Sequence, residues 1–100
     1  MKILSVNILS SSTLNIEGTQ FFASFAALAK YMQKMDYRDN KFGIMSDGVE
    51  ERFDITEENI RKEYLVAHSI GLSPWLIVRR DFVVYTIKNY ITICETEVYE

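Results

Sequence analysis

The chain reads as an α+β protein: a mainly antiparallel sheet with two α-helices, ending in a C-terminal three-stranded β-meander. Three observations predict this. Short stretches with side chains alternating between apolar and polar recur along the sequence, as half-buried strands require. Only two segments carry apolar residues at helical spacing. Beyond Pro74 the chain turns to branched and aromatic residues broken by short polar groups. Runs of strands mixed with segregated helices give α+β architecture.

Lys2–Leu9 is the first strand, with Leu4, Val6 and Ile8 on one side and Ser5 and Asn7 on the other. Ser10–Thr13 is a polar break. Leu14–Phe22 is ambiguous; Leu14 and Ile16 suggest a second strand, and Gly18 a turn or bulge. The first helix follows Ser24, whose hydroxyl can cap backbone N–H groups. Phe25, Leu28, Ala29, Met32 and Met35 then form one apolar stripe, with Lys30, Gln33 and Lys34 on the wet side. Asp36–Lys41 is too polar to continue it.

Lys41–Ser46 and Val49–Asp54 flank Asp47-Gly48, a pair that supplies the positive φ of a tight hairpin. Thr56 is a second N-cap, with Glu57 and Glu58 where the helix dipole favours negative charge. Ile60, Tyr64 and Ala67 continue inward, Gly71 suits a left-handed C-cap, and Pro74 forbids continuation. Trp75–Val78, Phe82–Ile87 and Tyr90–Val98 are the three expected C-terminal strands, separated by Arg79-Arg80-Asp81 and Lys88-Asn89. A two-residue turn at Lys88-Asn89 places Val84 opposite Ile93 and Val83 opposite Cys94. Both faces of that ribbon are then apolar, and such a strand is normally covered on both.

One hundred residues make a single domain, 1–100, large enough for an unaided core. No apolar run approaches the ~20 residues that span a bilayer. The net charge is −3, with five bases and three acids in residues 1–44 and six bases and 11 acids in residues 45–100. Neither half is a polybasic arm. Cys94 is the only cysteine, which excludes an intrachain disulfide and a cysteine-rich zinc site and fits a reducing compartment. Met1-Lys2 followed by Ile3–Leu9 superficially resembles a signal peptide, but Ser5 and Asn7 interrupt it. Cytoplasmic location is the expectation.

Motifs for chemistry are missing. His68 is the only histidine and pairs with Cys94 as base and thiol only if the fold brings them together. No metal-ligand spacing occurs, and Asp47–Glu58 does not fit a calcium loop. The glycines at 18, 43, 48 and 71 match no phosphate-binding pattern. The sequence therefore predicts no catalytic residues, no metal and no cofactor.

Two charged sets and the aromatic stock remain. Asp47, Glu50, Glu51, Asp54, Glu57 and Glu58 place six acids in 12 residues, a patch that can steer a basic partner. Lys30, Lys34, Arg38 and Lys41 are the alternative, a basic helix face able to track phosphates. Tyr85 and Tyr90 lie in the C-terminal ribbon, where rigid aromatic area with a polar tip suits an interface. The expected function is a small non-enzymatic protein-binding module: a regulator, an adaptor or an inhibitor, virus-encoded inhibitors included. Nucleic-acid binding through the basic set is the alternative, and a small enzyme built on Cys94 and His68 ranks third. A homodimer through the C-terminal sheet is compatible with each, and no membrane partner is expected.

Overall fold

The computed structural model describes residues 1–99. Six strands run β1 (Lys2–Ser10), β2 (Ile16–Phe22), β3 (Lys41–Ser46), β4 (Val49–Asp54), β5 (Trp75–Asp81) and β6 (Thr86–Glu97). Helix α1 (Phe25–Lys34) links β2 to β3, and α2 (Glu57–Ser69) links β4 to β5. The strands form one sheet in the order β2-β1-β6-β5-β3-β4, and every neighbouring pair is antiparallel. The α+β class and the two helices are as the sequence predicts.

The local signals act where their chemistry places them. Ser24 and Thr56 each accept the backbone N–H of the third residue of their helices, Ala27 and Asn59. Gly71 closes α2 at φ 75°, and its N–H bonds the His68 carbonyl. Asp47 and Gly48 turn the β3–β4 hairpin at φ 51° and 80°. Of Leu14–Phe22, Ile16–Phe22 resolves as strand β2 with a bulge, since Ile8 pairs with Gly18 but Leu9 pairs with Ile16, while Leu14 stays in the connection.

Both helices pack on the same face of the sheet. Leu4, Val6, Leu76, Val78, Ile91, Ile93 and Phe42 alternate inward from the strands to meet Leu28, Ala29 and Met32 of α1 and Ile60 and Tyr64 of α2. Each large side chain buried this way contributes about 1.5–3 kcal/mol. Tyr37 and Ile55, from the connections flanking the β3–β4 hairpin, close one side of this core. Burial raises the Tyr37 phenol to about 12. The opposite face carries no helix. Trp75, Ile77, Tyr90, Met45 and Leu9 alternate onto it, among polar Ser5, Asn7, Thr92 and Lys88.

The C-terminal region differs from the expected meander. It contains two strands, with β6 a single 12-residue strand running through Lys88-Asn89. The physical reason is Asn89, which is buried rather than at a turn. Its amide donates to the Leu9 carbonyl at 3.1 Å and to the Glu17 carboxylate at 3.0 Å, bracing the β-bulge region of β1 and β2. Val83 and Val84 therefore do not face Cys94 and Ile93; Cys94 pairs with Ser5 and Ile93 with Val6. The reversal falls at Phe82–Tyr85 instead.

The join between β3 and β5 is the weak seam of the sheet. One bridge pair, Gly43 with Ile77, connects them, against seven paired positions between β5 and β6. Towards Trp75 the two strands diverge, and a surface groove opens there.

Candidate functional site

The β5–β6 turn presents four consecutive apolar side chains to solvent. Phe82 donates its N–H to the Tyr85 carbonyl at 2.7 Å, which makes Val83 and Val84 the two central residues. Val83 is 103% exposed and Val84 85%. Below them the Phe82 and Tyr85 rings stack at 4.7 Å, and the Arg80 guanidinium lies 5.4 Å from the Phe82 centroid. The base is held by Asp81, whose carboxylate accepts from Arg38 and from the Thr86 hydroxyl, both at 2.7 Å. These donors hold the Asp81 carboxyl down at about 2, Arg38 more than Thr86.

This apex runs against local turn chemistry. Two-residue hairpin turns favour Asn, Asp and Gly because their central residues adopt positive φ. None of Phe82–Tyr85 does so. Two β-branched residues at a solvated apex bury nothing within this molecule. Departures from local rules without local gain are expected at functional or strained sites. The tip is rigidly based, apolar at its point and flanked by the cation Arg80.

A second surface lies at the other end of β5. Where β3 and β5 part, Ile44, Met45, Val66, Ile70, Trp75 and Ile77 line a groove of about 260 Å³. That volume takes side chains, since a water molecule occupies only ~30 Å³. Met45, Val66, Ile70 and Trp75 are each between 45% and 69% exposed, so the lining is open to solvent. Glu63 belongs to the groove wall. Glu51 stands beside Ile44 in the β3–β4 ladder, and Asp47 sits in the adjoining turn. None of these three acids is in an ion pair among the described residues.

The predicted acidic set is therefore divided. Glu50 pairs with Arg79, Asp54 with Lys41 and Glu57 with Arg61, which leaves Asp47, Glu51 and Glu58 unpaired among the described residues. Glu50 and Glu51 also point to opposite faces of β4, as neighbours on a strand must. The basic set breaks up as well, because Arg38 is bound to Asp81 and Lys41 to Asp54. Lys30 and Lys34 stay exposed on α1. Tyr85 belongs to the tip. Tyr90 lies on the open face, with Trp75 at 5.4 Å edge-on and the Lys88 ammonium 5.2 Å from its ring centroid.

His68 and Cys94 do line one hollow of about 430 Å³, between the α2–β5 connection and the end of β6 that outruns β5. His68 stacks on Tyr64 at 5.6 Å, and the Cys94 thiol donates only to the Glu95 carbonyl, at 3.5 Å. No hydrogen bond joins imidazole and thiol, so neither a base nor an orienting group serves the sulfur. No cluster of three metal-ligating side chains occurs among the described residues, and no helix there is long and apolar enough to cross a membrane.

Compared with known protein families, with curated proteins and with solved structures, the chain matches none. The functional argument rests on its own surfaces.

The exposed tip was present in the sequence as Phe82-Val83-Val84-Tyr85, four apolar residues directly after Arg79-Arg80-Asp81. Alternation made them look like a strand. The groove had no sequence signal at all, because Met45, Val66 and Trp75 are ordinary core residue types that the divergence of two strands leaves uncovered.

Proposed function

We propose that this protein is a non-enzymatic binding module that docks the β5–β6 tip into an apolar acceptor on a protein partner. The observation that carries the reading is the full exposure of Val83 and Val84 above a braced turn. Apolar anchors of this kind dominate interface energy when they enter a desolvated pocket. A turn that is already ordered loses little conformational entropy on docking. Tyr85 adds rigid area with a polar end, and Arg80 supplies a charged rim that sets orientation. Regulation, adaptation or inhibition in the cytoplasm all fit such a device.

The basic set gives nucleic-acid binding less support, since Arg38 and Lys41 already spend their charge on internal carboxylates. The Cys94–His68 pairing lacks a shared hydrogen bond.

The test compares proteins retained from nuclease-treated host lysate by wild type and by the Val83→Asp, Val84→Asp double variant. The expected outcome is one protein held near stoichiometry by wild type and reduced at least tenfold by the variant. Equal retention by both would remove the tip from the reading.

A further inference from the structure

The tip and the groove are complementary in shape class and in charge, and they lie at opposite ends of one strand. The tip is convex and apolar, with the Arg80 guanidinium beside it at Phe82 and in no ion pair among the described residues. The groove is concave and apolar, with the similarly unpaired Glu63 in its wall and Glu51 paired beside its Ile44. Seven residues of β5 separate them, about 20 Å at ~3.3 Å per residue. They cannot meet within one molecule.

We infer that the groove receives the β5–β6 tip of a second copy, so that copies join head to tail. This rests on the tip being a docking element, as proposed above, and adds the occupant of the groove. Val83 and Val84 enter between Val66 of α2 and Ile70 at its C-cap on one side and Met45 and Trp75 of the sheet on the other. Arg80 approaches the acidic edge, which steers the encounter and fixes which way round the tip enters. The groove also abuts backbone of β3 and β5 beyond their single bridge pair, where strand edges lack a partner.

A contact between two different patches is heterologous, and each added copy still offers one free tip and one free groove. Association therefore continues past the dimer. It differs from a face-to-face homodimer through the open side of the C-terminal strands, which would stop at two.

The experiment uses sedimentation velocity on the purified full chain from micromolar to millimolar concentration. Wild type is expected to exceed the 11.7 kDa monomer mass progressively. Two variants remove one end each: Val83→Asp with Val84→Asp at the tip, and Val66→Arg in the groove wall. All substituted residues are at least half exposed, and matching thermal midpoints confirm that the variants fold. Each variant alone is expected to remain monomeric. Mixed in equal amounts they should form a one-to-one dimer and nothing larger, since one supplies the groove and the other the tip.

A monomeric wild type at every concentration overturns the inference. So does a variant that still self-associates alone, or a mixture of two monomeric variants that fails to pair. The lysate comparison separates this from the broader reading. A monomeric wild type that nonetheless retains a foreign protein through Val83 and Val84 would leave the tip as a docking element and remove only the second copy.

Discussion

The Glu50 carboxylate reaches across strand β3 above Gly43 and grips the Arg79 guanidinium with both oxygens, at 2.7 and 2.8 Å. This clasp spans the seam where one bridge pair alone joins β3 to β5. Arg79 holds the Glu50 carboxyl below the usual range, and each side chain is about one-fifth exposed. Gly43 has no side chain because Glu50 lies there: an added Cβ would sit 2.6 Å from Oε2 and 2.8 Å from Cγ and Cδ.

Gly43→Ala should therefore act through Glu50. Displacing the carboxylate loses a bidentate, partly buried pair worth about 1–2 kcal/mol, between the exposed and buried ranges. In a Glu50→Ala background the same glycine change should cost clearly less, because the blocking atoms are gone. Urea denaturation of the two single variants and the double variant measures the difference as a coupling energy. Additive losses would mean that Glu50 is not what keeps position 43 bare.

Acid should loosen the tip before the core. The folded pKa of Asp81 is about 2, and that of Glu50 is lowered by Arg79, against unfolded values of about 3.9 and 4.3. Below those unfolded values the unfolded chain binds more protons, so stability falls with pH. The contribution of both groups is fully present above about pH 5 and is lost as pH drops through the folded values. Asp81→Asn should flatten the decline in thermal midpoint between about pH 4 and pH 2. An unchanged slope would show that the Arg38 and Thr86 contacts do not persist in solution.

Leu14 sits at φ 57° in the β1–β2 connection, half exposed, with its N–H on the Ser10 carbonyl. A side chain with Cβ in left-handed backbone costs about 1 kcal/mol, and asparagine tolerates that region better. Leu14→Asn should raise the denaturation midpoint, by up to about 1 kcal/mol of stability. A lower midpoint would imply that the Leu14 side chain makes a contact that outweighs the strain.

Tip and core should respond in opposite ways to truncation. Val84→Ala removes solvated methyl groups and should change stability by less than about 0.5 kcal/mol. Met32→Ala and Leu76→Ala, at fully buried positions between the helices and the sheet, should each cost about 2–5 kcal/mol. Chemical denaturation of all three ranks them directly.

Much of the fold was legible because the deciding interactions are local. Ser24, Thr56 and Gly71 bond backbone groups within four residues, and Asp47-Gly48 needs only its own dihedral angles. What failed was Lys88-Asn89, a polar pair that looks like a turn. Asn89 is interior because the Leu9 carbonyl and Glu17, some 70 to 80 residues away in sequence, satisfy its amide. Val83-Val84 failed in the complementary sense: good strand residues form a turn because Asp81, Arg38 and Thr86 brace its base.

The sequence by itself determined the two helices, the β3–β4 hairpin and the apolar stripes, since periodicity and capping act over a few residues. Tertiary structure alone decided that both helices share one face, that β3 and β5 part beside Trp75, and that charges 13 to 96 residues apart cancel in pairs. Those outcomes depend on which strands become neighbours, and strand neighbours are chosen by the packing of the whole core rather than by any one segment.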